Sequence, residues 1–278
     1  MAGQISKIKR QLRSVRSTKK LTNAMSLVAT AKMQKQKKAM EVNNSYAENY
    51  YRFLLAALSA HKDGEVETNP YLVQSHVDNP LHIVISSNSG LCGSYNQDLF
   101  KYIEEHIAKD EPIFVIGSYG LKWLMANDYL VVKSYTDLDD LKPFRINSLI
   151  YDIMKLYSAD EISSIDIVYT QYVNSLTFVP SIYRLLPIEN EGIEESDIIL
   201  EPSRDEVINR LIPMFVSSMI YSTFLQAKTS EQAARRSAMD GANRNADNLI
   251  SRLQLEYNQA RQAGITQEMT EIIAGSQK

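Results

Sequence analysis

Few stretches of this 278-residue chain carry residue types at a spacing that could do chemistry. Gly90-Leu-Cys-Gly93 follows an apolar run and precedes an amphipathic one. A strand-to-helix turn is where α/β folds hold phosphate, on the free amides of the helix N-terminus. The dinucleotide fingerprint also needs a third glycine and a downstream acid. Neither is in place, so a structural turn is the better account. Gly117-Ser-Tyr-Gly120-Leu-Lys122 superficially has the look of a P-loop, but its spacing is wrong and no Ser/Thr follows the lysine. Cys92 as a nucleophile would need a histidine or another cationic partner. No motif ties His61, His76, His82 or His106 to it, and a buried inert thiol is the simpler reading. The same histidines lack metal-ligand spacing.

Charge is more informative. The net charge is only −3, yet no acid precedes Glu41, while eleven basic residues run from Lys7 to Lys38. Three readings stay open. The run could bind nucleic acid through phosphates. It could be a mitochondrial transit peptide, also Arg-rich and acid-poor. It could be the charged face of a helix held inside an acidic partner. An apolar seam passes through the basic stretch without a cleavage-like break, which speaks against the transit peptide. No base-stacking or base-reading module accompanies it, which speaks against nucleic acid. The lone cysteine excludes an internal disulfide and makes a reducing cytoplasm the default compartment. No apolar run approaches the roughly 18–20 residues of a membrane span, and the polar start is no secretory signal.

The elements that must position these residues follow from glycine and proline, the strongest helix breakers. Neither occurs from Gln4 to Asp63, which predicts a rod of roughly 90 Å at 1.5 Å per residue. Its stripe runs Ile5, Ile8, Leu12, Val15, Thr18, Thr22, Met25 and Val28, weakens, and turns aromatic beyond Tyr46. At the other end, no proline follows Met214, and only Gly241, Gly264 and Gly275 interrupt. There Ala234, Ala238, Ala242 and Ala246, then Leu249, Leu253, Tyr257 and Ala260, form a stripe that a second helix can approach closely. Helices this long need packing, so the two rods are expected to pair antiparallel, Gln4–Leu58 against Asp205–Ile273. The last turns are expected to project alone, with Ile265, Met269, Ile272 and Ile273 on one bare face.

Between the rods the pattern alternates. Strands are expected at 81–87, 112–117, 129–133, 165–173 and 178–186, and helices at 95–108, 119–126 and 146–157. Alternation implies a parallel sheet, with the final hairpin as an antiparallel edge. Asp63–Asn79 reads as a linker and Glu189–Asp197 as an acidic loop. The fold class is α/β: a long antiparallel two-helix coiled coil formed by both termini, plus a small Rossmann-like α/β domain. The expected division is 1–62, 63–200 and 201–278.

Particular residues then identify a family. Ser230-Glu-Gln-Ala-Ala-Arg-Arg-Ser-Ala-Met239, Leu253-Gln-Leu-Glu-Tyr-Asn-Gln-Ala-Arg-Gln262 and Ile265-Thr-Gln-Glu-Met-Thr-Glu-Ile-Ile-Ala-Gly275 closely resemble the C-terminal signature of the gamma subunit of F-type ATP synthases. Thr18-Lys-Lys-Leu-Thr-Asn-Ala-Met25 through Ala31-Lys-Met33 is similar to its N-terminus, and Ser89-Gly-Leu-Cys-Gly-Ser-Tyr-Asn96 to its central turn. The chain departs at Asn23, where the family commonly has lysine, at Ser89 (arginine) and at Ser94 (glycine).

The resemblance implies a rotor without a catalytic site or cofactor. Its shaft would stand in a ring of three alpha and three beta subunits, with its base on the epsilon subunit and the ring of c subunits. Ion flow through the membrane would turn it, and its asymmetry would cycle the beta subunits. Membrane association would be indirect, through the c ring, on the cytoplasmic face of a bacterial inner membrane. By position, Lys20, Thr22 and Met25 match the family stretch lying against the beta subunits. Arg235, Gln262, Thr266 and Glu268 match its C-terminal contacts with them, and Glu201 matches the foot on the c ring. Each is also an ordinary solvated or seam position of a coiled coil. Two other classes stay open: a nucleic-acid binder using the basic rod, and a nucleotide-dependent enzyme using the Gly90–Gly93 turn.

Overall fold

The N-terminal run without helix breakers forms one helix, α1 (Ala2–Ser59), in a computed structural model that describes residues 2–60, 71–72, 77–136, 143–159, 161–188 and 200–276. The expected linker falls largely outside the described residues, and the acidic loop wholly so. The C-terminal run forms α5 (Arg204–Ser276). It starts on a cap: Ser203 Oγ accepts the Glu206 amide at 3.3 Å, with Asp205 and Glu206 in the positive first turn. Pro213 lies inside it without ending it.

Two compact units share these helices. One is Met1–Thr30 with Arg235–Lys278, the other Ala31–Ala234. Within each, α1 and α5 pack antiparallel. In the first, Arg16, Thr22 and Ser26 meet Gln254, Asn243 and Asp240 in turn. In the second, the Tyr51 and Phe215 rings meet tilted at 6.0 Å, and the Arg204 guanidinium donates to the Leu58 carbonyl at 3.3 Å.

The seam differs from the expected stripe. On α1, every residue at alternating three- and four-residue steps from Ile5 to Ala57 is buried or half-buried. That series takes Lys19, Ser26 and Ala29 and leaves Thr18 and Val28 exposed. On α5, the series Met239, Asn243, Ala246, Ile250, Leu253, Tyr257, Ala260, Gly264 keeps the same rhythm. Leu249, expected in the stripe, is 43% exposed. Ala234 packs on Cys92 and Tyr95 instead of on α1. Four-residue steps drift about 40° around a 3.6-residue helix each time, whereas a 3.5 average keeps a seam facing its partner.

The second unit holds a five-stranded sheet in the order β3-β2-β1-β4-β5. β1 (Pro80–Ile85), β2 (Ile113–Ile116), β3 (Val131–Tyr135) and β4 (Ser164–Tyr172) run parallel, and β5 (Phe178–Leu186) pairs antiparallel with β4. Pro180 is tolerated because β5 is an edge. β3 begins two residues later than expected. Asp128 takes a left-handed conformation, and the Tyr129 amide bonds back to Leu124, so both belong to the turn.

Alternate side chains cover the two faces. Val84, Ile113, Val115 and Val168 pack with α2 (Tyr95–His106) and α3 (Ser118–Ala126). Ile83, Ile85, Phe114 and Ile167 face a core shared by α4 (Pro143–Ser158), Leu54 and Leu58 of α1, and Ile212, Val216 and Ile220 of α5. Lys133 and Tyr135 of β3 both donate to Asp152 of α4. Burial alone would raise that carboxyl, but the two donors hold it below its ordinary value.

The seam register gives a direct test. Leu253, 6% exposed, should cost about 2–3 kcal/mol of stability on truncation to alanine, and Leu249 less than about 0.5 kcal/mol. Urea unfolding of the two variants compares them. Equal losses would return Leu249 to the interface.

Candidate interaction surface of the paired helices

Three zones follow one another along the first unit. Ile8, Leu12 and Leu253 make an apolar cluster with Val15, Ile250 and Tyr257 packed around it. Next the seam turns polar, because α1 presents Lys19, Thr22 and Ser26 where apolar residues would be usual. Each finds a partner on α5. Ser26 Oγ donates to Asp240 at 2.7 Å, Thr22 Oγ1 to Asn243 Oδ1 at 2.5 Å, and Lys19 pairs with Asp247. Ser26 is buried and Thr22, Asn243 and Asp240 are half-buried, so these pairs favour the register that bonds them, while Lys19–Asp247 lies at the solvent edge.

The third zone is the C-terminal end of α5. A Cβ on Gly264 would lie 3.7 Å from Ile5, near the start of α1. From Ile265 to Ile273 every side chain is exposed, including Ile265 at 50%, Met269 at 60% and Ile272 at 71%.

The residues matched from sequence fall into three kinds. Lys20, Gln262, Thr266 and Glu268 stand on the surface of the first unit, with Thr266 Oγ1 donating only to its own helix at Gln262. Thr22 and Met25 are half-buried, Thr22 through its seam bond. Arg235 is 7% exposed, leaving little of it for a partner in this conformation. Glu201, in the second unit, is exposed just before the α5 cap.

Sequence reasoning missed a buried polar stretch of α5. From Ala227 to Ala234 every residue is buried. Lys228 Nζ lies 2.9 Å from Glu231, both side chains at most 4% exposed, with the Phe224 ring beneath the ammonium. Ser230 Oγ donates to the Thr170 carbonyl at 3.1 Å, and Tyr95 OH donates to the Ala227 carbonyl at 3.2 Å. The signal was the run of alanine, serine and threonine, which suits close contact on all sides.

This stretch bears on the turn after β1. The strand order reverses at β1 and β4, and such sheets hold ligands beyond the carboxyl ends at that point. Here Ala234 and Phe178 close on Cys92 and Tyr95 there. Cys92 is buried and takes the Asn96 amide at 3.4 Å. The glycines of the second motif serve packing. A side chain at Gly120 would strike Ser86 Oγ, which instead accepts the Gly120 amide at 2.9 Å. Gly117 has φ +108°, and a Cβ there would sit 2.6 Å from the Ser86 carbonyl oxygen.

His82 Nε2 bonds to Glu111 at 2.8 Å, and His106 Nδ1 to the Tyr102 carbonyl at 2.8 Å. His61 and His76 lie outside the described residues. Among the described residues, no group of His, Cys, Asp and Glu is placed to hold a metal, and no helix is long and apolar enough to cross a membrane.

A family model described as ATP synthase matches residues 4–277. The ATP synthase gamma chain of Mycoplasma capricolum subsp. capricolum is 34% identical over 279 residues, 98% of each chain. That of Clostridium kluyveri is 33% identical over 277 residues, 97% of this chain and 96% of its own. Among solved structures, a chain of the Euglena gracilis mitochondrial ATP synthase OSCP/F1/c-ring assembly matches with a TM-score of 0.72. That match covers 99% of this chain and 94% of the other at 17% identity, which shows a common fold.

The polar seam can be tested by a double-mutant cycle. Thr22→Val alone should cost about 1 kcal/mol, because it strands Asn243. Thr22→Val with Asn243→Leu should recover most of it, since both partners then become apolar. Additive losses in thermal unfolding would show that the two side chains do not act together.

Proposed function

The chain belongs to the gamma-chain family of ATP synthases, and from that membership we propose that it is the central rotating shaft of the complex. In this reading the paired helices stand inside a ring of three alpha and three beta subunits. The α/β part and the shaft base meet the epsilon subunit and the c ring. Ion flow, of protons or sodium, turns the ring and the shaft, and the shaft's uneven profile drives the beta subunits through their nucleotide states. The full-length match to gamma chains carries this reading. Nucleotide chemistry belongs to the surrounding subunits, and this chain supplies no catalytic residue or cofactor site. It reaches the membrane only through the c ring, on the cytoplasmic side of a bacterial inner membrane.

The structure supports the physical requirements of a shaft. Torque needs an element that does not bend, and a hydrogen-bonded seam fixes the two helices in register. A bearing needs a surface that holds without locking. The bare face of Ile265, Met269 and Ile272 offers that, because an exposed apolar stripe is stable only against a covering surface. A few such side chains, at roughly 1.5–3 kcal/mol each when fully buried, can centre the tip. Switching a two-state partner from 1:99 to 99:1 takes about 5.5 kcal/mol of difference between states, which a near-symmetric collar does not supply. Torque therefore passes lower, around Lys20, Met25 and the stretch near Arg235.

Two measurements follow. Deleting Ile272–Lys278 should leave ATP-driven ion pumping in membranes measurable, with a less stable complex, whereas deleting back past Arg235 should abolish it. Complete loss on removing the last seven residues would place torque at the tip. Lys20 is exposed and is expected to face acidic beta-subunit surface. Lys20→Glu should therefore weaken coupling more at low than at high ionic strength, since salt screens exposed charge within about 10 Å at 0.1 M. A defect insensitive to salt would point to packing instead.

A further inference from the structure

Four cations of α1 meet in one groove of the first unit. Lys9, Arg13, Arg16 and Lys20 recur at steps of four, three and four residues, so they share a helix face beside the seam. With Gln254 and Tyr257 of α5, and Leu12 as floor, they line a groove of about 570 Å³. Small-ligand sites run from about 300 to 1,000 Å³. No acid lines it.

The chain does provide carboxylates for neighbouring cations: Lys19 has Asp247, and Arg252 has Glu256 at 3.0 Å. Among the described residues, none pairs with the four in the groove. Arg16 is oriented instead by a neutral group, its Nη2 donating to Gln254 Oε1 at 3.1 Å. That fixes the guanidinium without cancelling its charge. A concave surface lined by one sign of charge concentrates its field on whatever enters.

We propose that this groove binds a phosphate-chain anion, either a nucleoside triphosphate or inorganic tripolyphosphate. The forks of Arg13 and Arg16 match phosphate oxygens in pairs, and Lys9 and Lys20 add point charges at either end. A triphosphate gathers several charges into one compact group that a groove can enclose. Acidic side chains of a protein bring one charge each and suit a flatter contact. The site goes beyond the rotor reading, with which it shares Lys20 at one end of the groove, and it does not use the turn after β1.

The test is calorimetric titration of the full-length chain at low salt, with sodium tripolyphosphate and, separately, with ATP in the presence of EDTA. Saturable one-to-one binding is expected. Arg13→Gln or Arg16→Gln should weaken it about ten-fold or more, the scale of one lost charge-assisted bond. Lys7→Gln changes the same acid-free stretch outside the groove and should weaken it less than about two-fold. Circular dichroism checks that the variants remain folded. Equal affinity for both ligands assigns recognition to the phosphate chain. Tighter ATP binding that Tyr257→Ala removes assigns part of it to the base. Absence of saturation overturns the proposal, as does equal weakening by Lys7→Gln and Arg16→Gln. Hexaglutamate binding as tightly as tripolyphosphate would also overturn it, in favour of an acidic protein segment.

Discussion

Neither long helix is stable by itself in water, and everything else depends on each burying one face along the other. Most helical stability in proteins comes from tertiary packing rather than propensity. α1 meets that need with a seam that never breaks rhythm from Ile5 to Ala57, whatever the side chain at the position. Where the series reaches Leu12 or Leu54 the contact is apolar. Where it reaches Lys19 or Ser26, the partner helix offers a carboxylate. Position in the seam, and not hydrophobicity, decides which residues are enclosed.

The polar zone follows from the same constraint. An all-apolar antiparallel pair could slip by a heptad at small cost, since one leucine replaces another. Thr22 opposite Asn243 and Ser26 opposite Asp240 lose half-buried hydrogen bonds if the helices slip. A single polar seam position is known to fix register in coiled coils at some expense of stability. In a rotor, slippage between the helices would dissipate torque, so register matters more there than the last increment of stability.

The α/β part shows how such a fold serves a mechanical role. Its parallel order creates a crevice at the β1/β4 reversal, the usual place for a ligand. α5 packs into this region with Ala227, Ser230 and Ala234, and its backbone and hydroxyls take bonds from Tyr95 and give them to Thr170. The buried Lys228–Glu231 pair raises the stakes, because removing either partner would leave an uncompensated charge. The sheet thus grips a helix where related architectures grip a nucleotide.

Much of this was legible in the chain. The absence of glycine and proline marked two long helices, and the alternation of apolar runs marked five strands, four parallel and the last an antiparallel edge, because those signals are local. Family signatures at both ends pointed to the shaft. What sequence misjudged was the facing of particular residues. Leu249 and Val28 looked like seam residues because they are apolar, and Ser26 and Lys19 did not because they are polar. The burial of Ser26 and the place of Lys19 at the seam depend on partners more than two hundred positions away, Asp240 and Asp247, which no local pattern reveals. Ala234 was expected on the stripe facing the other rod and Arg235 among the partner contacts, and both lie at the end of a buried run that begins at Ala227. They are enclosed because the tertiary fold packs them on more than one side. The sequence determined which segments are helix and strand, since backbone propensity and periodicity act within a few residues. Tertiary structure decided which polar positions join the apolar ones at the seam and which apolar ones stay outside, since that is set by what arrives from the far end of the chain.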